Sequence, residues 1–105
     1  MADKIESPIP RRLKEARLKT ELSQKALGIA IGIDQFSASS RMNHYEQGLH
    51  SPDFSLLSRV SELLKIPTSY FYTIDDELAE LILDFNKLNK KQKKELKSFM
   101  KGICG

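Results

Sequence analysis

The sequence has a single cysteine, Cys104, and only two histidines, His44 and His50, among its 105 residues. A lone cysteine cannot form an intramolecular disulfide, which favours a reducing compartment. Two histidines and one distant cysteine also fall short of the ligand set of a structural zinc site. The sequence therefore predicts neither a disulfide framework nor a metal site, and no cofactor is expected.

Long apolar runs are missing as well. No segment approaches the ~20 apolar residues needed to cross a bilayer, and the N-terminal segment MADKIESPIP has no apolar signal region. We therefore expect a cytoplasmic protein.

The chain is long enough for one domain with a modest core and too short for two independent domains.

The sequence also lacks the motifs of common enzyme classes. It contains no phosphate-cradling glycine loop, no H-E-x-x-H pair and no G-x-S-x-G turn. Its acidic cluster, Asp75-Asp76-Glu77, stands at a predicted helix start, where carboxylates interact favourably with the helix macrodipole. The sequence therefore does not indicate an enzyme.

Charge is distributed unevenly along the chain. The formal net charge is +3, yet residues 75–86 carry five acids and no base, and residues 87–101 carry seven lysines against one glutamate. Such blocks are typical either of a solvated face or of a surface that contacts phosphates or an acidic partner. Charge alone does not decide between these interpretations.

Hydrophobic periodicity predicts an all-α fold with seven helices and no strand. The first four predicted helices cover residues 10–20, 24–31, 35–47 and 53–65. A short fifth helix starts at Pro67, and two further helices lie within residues 75–102. We divide the chain into an N-terminal extended arm (1–9), a five-helix domain (10–73) and a C-terminal helical hairpin (74–105).

Apolar side chains in the C-terminal part form two helical faces. The expected members of the first face are Leu78, Leu81, Ile82 and Phe85, and those of the second are Leu96, Phe99, Met100 and Ile103. The aromatic residues that precede the hairpin, which we expect to cover the core, are Tyr70, Phe71 and Tyr72.

Residues 22–48, LSQKALGIAIGIDQFSASSRMNHYEQG, predict a pair of helices around a glycine turn. Ser23 is the expected N-cap, Gly32 supplies the turn, Asp34 can cap the second helix, and Gly48 ends that helix. The small residues expected to allow close helix packing are Ala26, Gly28 and Ala30. The residues of the second helix expected to face inward are Phe36, Met42 and Tyr45.

This helix pair resembles the Cro/repressor-type helix-turn-helix family, also called the Xre family, over about residues 10–72. The positions that carry the resemblance are Arg17, Leu22-Ser23-Gln24, Gly32-Ile33, Tyr45-Glu46-Gln47-Gly48 and Ser51-Pro52, with the apolar run of the fourth helix. The resemblance implies a phage-repressor-like domain that presents one helix to the major groove of DNA, as in a bacterial or prophage-type repressor.

One departure from the family pattern lies between Gly32 and Gly48, which are sixteen residues apart. The spacing usual in the family is about one helical turn shorter, or roughly four residues. Either a longer turn or a recognition helix extended at its N-terminus would accommodate the additional residues.

The polar face of the second helix supplies candidates for contacts with DNA, and the resemblance implies that Gln24 contacts the phosphate backbone. The candidates for base contacts are Ser37, Ser39, Ser40, Arg41, Asn43 and His44, of which about three or four should reach base edges because successive helical residues differ by about 100 degrees. The candidates for phosphate contacts are Gln24, Lys25, Gly48, His50 and Ser51. In the family, the residues corresponding to Arg17 and Glu46 form a structural ion pair, so we expect neither to read sequence.

The C-terminal hairpin needs a surface to cover its apolar faces. It could fold back on the core or pair with a second subunit, and a homodimer that reads a palindromic operator is the interpretation that we favour. The alternative is a protein-interaction module, such as an antitoxin or antirepressor component, that acts through the hairpin.

Overall fold

The computed structural model describes residues 6–105, and within this range the chain forms seven helices and no strand. The helices are α1 (Ile9–Leu18), α2 (Gln24–Ala30), α3 (Ala38–Gln47), α4 (Phe54–Leu64), α5 (Thr68–Phe71), α6 (Asp76–Lys87) and α7 (Lys90–Cys104). The predicted all-α fold is confirmed. Residues 1–5 of the predicted N-terminal arm lie outside the described residues. No helix within residues 6–105 combines the length and the apolar character needed to cross a membrane.

Side chains from α1 to α5 supply most of the hydrophobic core. Its largest fully buried members are Leu13, Leu27, Met42, Leu57, Val60 and Phe71. Helix α1 begins at Ile9, one residue earlier than predicted, because the buried Ile9 side chain packs with this core. Pro10 is tolerated there because the first turn of a helix does not need its N–H group.

The pairing of α2 with α3 depends on a glycine. The Ser23 hydroxyl accepts a 3.0 Å hydrogen bond from the N–H of Ala26 and so caps α2, as predicted. Gly28 is buried, and a Cβ at this position would lie 2.9 Å from Cβ of Ala38. Close packing of the two helices therefore requires glycine here, whereas Ala30 is exposed and was wrongly expected to contribute.

The turn between α2 and α3 accommodates the additional residues, as in the first of the two alternatives that the sequence left open. Gly32 adopts a φ of +97°, and α3 begins at Ala38 instead of Gln35. The Asp34 carboxylate accepts a 3.2 Å hydrogen bond from the Phe36 N–H, so that Asp34 caps this turn and not α3 itself. Phe36 was wrongly expected to face inward and is 88% exposed, because the fully buried Ala38 fills the space against Gly28.

Helices α4 and α5 complete the hydrophobic core formed with α1, α2 and α3. The Asp53 side chain accepts a 2.8 Å hydrogen bond from the Leu56 N–H at the start of α4, and Lys65 caps the end of α4 in a left-handed conformation. Tyr70 and Phe71 are buried as predicted, but Tyr72 is exposed. Three consecutive residues of a helical turn point in different directions, so they cannot all reach the same core.

Helices α6 and α7 follow the core as the two predicted C-terminal helices, joined by Leu88 and Asn89. Ala79 is the buried residue of α6, which packs against α5. Asn89 and Gln92 form a reciprocal capping box at the start of α7. Helix α7 has no buried residue and packs extensively against no other helix of the described chain. Its apolar side chains Phe99, Met100 and Ile103 are exposed, and Leu96 is half-buried.

A buried arginine attaches α6 to α1. Arg12 is 3% exposed and donates hydrogen bonds to the carbonyl oxygens of Thr73 (3.0 Å) and Ile74 (3.1 Å) and to Oδ1 of Asp76 (2.9 Å). The neighbouring Arg11 donates a 2.6 Å hydrogen bond to the same carboxylate. Hydrogen bonds from Arg11 and Arg12 lower the pKa of Asp76 below its ordinary value of 3.8.

This lowered pKa predicts an acid-sensitive attachment of α6. A carboxylate whose pKa is lower in the folded state stabilises the fold above its unfolded pKa and loses this contribution as the pH falls through the folded pKa. We expect Asp76→Asn to lower the melting temperature near neutral pH, and the difference from the wild type to disappear as the pH falls well below 3.8. Thermal unfolding of both proteins, from neutral pH to well below 3.8, measures the difference in melting temperature. A difference that does not change with pH would contradict the prediction.

Candidate nucleic-acid interface

Helix α3 presents a concave polar surface, which we call the α3 concave face. The residues that line it are Ser37, Ser40, Arg41, His44, Tyr45, His50 and Ser51. The first four recur at positions i, i+3, i+4 and i+7, a spacing that places them on one side of a helix. Four of the six predicted base contacts and two of the five predicted phosphate contacts therefore meet on one surface.

Arg41 is held in position by Tyr45, four residues later on α3. One terminal N–H of the Arg41 guanidinium donates a 2.7 Å hydrogen bond to the Tyr45 hydroxyl, and the guanidinium carbon lies 5.8 Å from the centre of the tyrosine ring. Tyr45 is buried as predicted. Its second role was missed, although side chains four residues apart on a helix are neighbours and this spacing is visible in the sequence.

The turn after α3 brings a second histidine to this surface. Gly48 has a φ of +77°, and the N–H of Leu49 donates a 2.9 Å hydrogen bond to the His44 carbonyl oxygen. The ring centres of His44 and His50 consequently lie 5.2 Å apart. Within residues 6–105 no third histidine, cysteine or acidic residue joins them in a possible metal-binding group.

The other two predicted base contacts lie outside the α3 concave face. Ser39 is exposed on a different side of α3. Asn43 is half-buried, and its Oδ1 accepts hydrogen bonds from the side-chain amides of Gln24 (3.3 Å) and Gln47 (3.4 Å). Asn43 thus contributes to the packing of α2 against α3 in this structure.

Arg17 and Glu46 join α1 to the C-terminal end of α3. The Arg17 guanidinium bonds both carboxylate oxygens of Glu46, at 2.6 Å and 3.0 Å, and only 2% of the Glu46 side chain is exposed. The hydrogen bond with Glu46 raises the pKa of Arg17. A bidentate ion pair of this kind fixes both the distance between the two side chains and their relative orientation. It therefore holds α3 in a defined position on the core.

The predicted phosphate contacts differ in their availability. Lys25, Gly48, His50 and Ser51 are exposed. The Gln24 side chain instead donates its two N–H groups to Asn43 and to Glu46, the latter at 3.1 Å. A phosphate contact by this side chain therefore requires that one of these hydrogen bonds is released.

Comparison with known proteins identifies one solved structure of particular relevance. The crystal structure of the transcriptional regulator BswR is similar to this chain with a TM-score of 0.86 and 45% sequence identity, and the match covers 90% of this chain and 93% of that chain. No protein-family model matches the chain. No curated protein matches it either.

Proposed function

Because this chain belongs to the same family as the transcriptional regulator BswR, we propose that it is a sequence-specific DNA-binding regulator. We further propose that it is a repressor of the Cro/repressor type, and that it reads a palindromic operator through the major groove as a homodimer. Its action is binding, without a catalytic step.

The observation that carries this proposal is the α3 concave face. It combines hydroxyl, guanidinium and imidazole groups on a helix of ten residues, and a helix is an element that the major groove admits. The Arg41 guanidinium can donate two parallel hydrogen bonds to O6 and N7 of guanine. His50 and Ser51 lie at the edge of the same surface, where a phosphate backbone would pass.

Homodimerisation is supported by the two C-terminal helices. Phe99, Met100 and Ile103 on α7 are each at least half exposed. The acids of residues 75–86 lie mostly on α6 and the lysines of residues 87–101 mostly on α7, so α7 of one subunit complements α6 of another in charge. A dimer would present two α3 helices to half-sites separated by about one turn of DNA.

Selection from a pool of randomised duplexes, at near-physiological salt, tests the proposed function. The enriched duplex is then titrated against random DNA. We expect an inverted repeat that is bound with a preference of about 10³-fold or more. Enrichment of no sequence by a folded sample would contradict the proposal. It would favour the second candidate, an antitoxin-like or antirepressor-like module that uses the exposed side chains of α7 to bind a protein.

Arg41→Ala distinguishes base reading from simple charge attraction. If Arg41 bonds a guanine, its loss should weaken operator binding by ~1–3 kcal/mol and leave binding to random duplex much less affected. Titrations of both duplexes with both proteins measure this difference. Lys14→Ala, which removes one exposed positive charge from α1, is the matched control and should retain full discrimination. An equal loss on both duplexes for Arg41→Ala would assign Arg41 to a phosphate.

A further inference from the structure

Phe36 is the most exposed large apolar side chain among residues 6–105. It is 88% exposed, compared with 68% for Ile103 and 66% for Phe99. Unlike those two residues of α7, it lies next to the α3 concave face, directly before Ser37. Its position beside this face, together with its exposure, indicates that Phe36 takes part in the contacts that the face makes.

The turn that carries Phe36 is held by several hydrogen bonds. The Asp34 carboxylate accepts from the N–H of Phe36 at 3.2 Å and from the hydroxyl of Ser37 at 3.3 Å. The Asp34 carbonyl oxygen accepts from the N–H groups of Ser37 (3.0 Å) and Ala38 (2.9 Å). Because Ala38 is itself fully buried, the turn is anchored to the core at one end. Phe36 is therefore displayed from a structured turn.

The turn places Phe36 beside the start of the recognition surface. The Ala38 N–H donates a 2.9 Å hydrogen bond to the Asp34 carbonyl oxygen, and the bond from the Arg41 N–H to the Ser37 carbonyl oxygen then begins α3 itself. Phe36 therefore lies in the turn, two residues before the first residue of α3 and directly before Ser37, which lines the α3 concave face.

We infer that Phe36 contacts the 5-methyl group of a thymine in the major groove and so makes the protein prefer a T·A pair at one position of each half-site. This inference rests on the proposed function. The N-terminal end of a recognition helix is the part that reaches base edges. The thymine methyl is the apolar group that the bases present in the major groove, and phenylalanine is a side chain suited to contact it. The neighbouring side chains of the α3 concave face are polar, so Phe36 adds a kind of recognition that they lack.

Replacement of thymine by deoxyuridine tests this contact because it removes only the methyl group. Each thymine of the operator obtained by selection is replaced in turn, and the affinities of the wild type and of Phe36→Ala are measured. Burial of one methyl group corresponds to about a fourfold change in affinity. We expect a loss of about fourfold at one position per half-site for the wild type, and no loss at that position for Phe36→Ala.

Two controls separate this contact from other effects. Leu18→Ala truncates another exposed apolar residue, on α1, and should retain the wild-type response to deoxyuridine. Phe36→Ala should keep the wild-type melting temperature, because the side chain is exposed. If the wild type binds its operator but no thymine methyl depends on Phe36, this inference is overturned and the proposed function stands. If the wild type selects no operator, both are overturned.

Discussion

Arg17→Ala should lower the free energy of unfolding by about 3–5 kcal/mol, the range found when one partner of a buried ion pair is removed. The carboxylate of Glu46, whose side chain is 2% exposed, would then keep a single donor, the side-chain amide of Gln24. A buried charge without its partner retains the cost of leaving water and loses the attraction that offset this cost. For a domain whose total stability is ~5–15 kcal/mol, the loss would be a large fraction.

Chemical denaturation followed by circular dichroism measures this effect. Lys14→Ala, which truncates an exposed basic residue of the same helix, should change the stability by no more than about 0.5 kcal/mol. The double variant Arg17→Met with Glu46→Met removes both charges and should be more stable than Arg17→Ala alone. A cost of less than about 1 kcal/mol for Arg17→Ala would mean that the pair behaves as an exposed ion pair.

The same variant tests whether Arg17 reads DNA. Its contacts are with Glu46 and the Leu22 carbonyl oxygen, inside the protein. At a temperature where Arg17→Ala is still folded, we therefore expect it to select the same operator as the wild type. A changed operator sequence would indicate that Arg17, or the position of α3 that it fixes, contributes to base reading.

The parts of the fold that could be predicted from the sequence are those determined by local chemistry. Ser23 can cap α2 because its hydroxyl reaches an N–H three residues later, and a glycine favours the left-handed turns at Gly32 and Gly48 because it has no Cβ. These interactions depend on neighbours in the chain, so the sequence contains the information that specifies them.

The features that were missed depend on residues far apart in the sequence. The burial of Arg12 requires acceptors in residues 73–76, more than sixty positions away. The exposure of Phe36 depends on the fit of Ala38 against Gly28 in the preceding helix. Both a longer turn and an extended helix satisfy the local sequence between Gly32 and Gly48, and only this packing distinguishes them. The position of Asn43 in the site was missed for the same reason, because its Oδ1 accepts a hydrogen bond from the side chain of Gln24 on the preceding helix.

Gly28→Val should be the other strongly destabilising change, because Gly28 sets the distance between α2 and α3. A Cβ there would lie 2.9 Å from Cβ of Ala38, 3.0 Å from Cγ of Met42 and 3.1 Å from the carbonyl oxygen of Ala38. Two of these neighbours cannot rotate away, since one is backbone and the other is attached directly to it. We expect a loss of about 3 kcal/mol in the free energy of unfolding, the upper part of the range for overpacked cores.

Gly102→Val is the matched control for this prediction. Gly102 also lies within a helix, α7, but a Cβ there would meet nothing within 4 Å. Valine and glycine differ little in helix propensity, so this change should alter stability by no more than about 0.5 kcal/mol. Denaturation curves of the two variants compare the same substitution in a packed and an open helix. If the two variants were equally stable, α2 and α3 could move apart at little cost in free energy. The position of the α3 concave face would then not depend on Gly28. A large loss for Gly28→Val alone would mean that the close spacing of the two helices is part of what holds the α3 concave face in position.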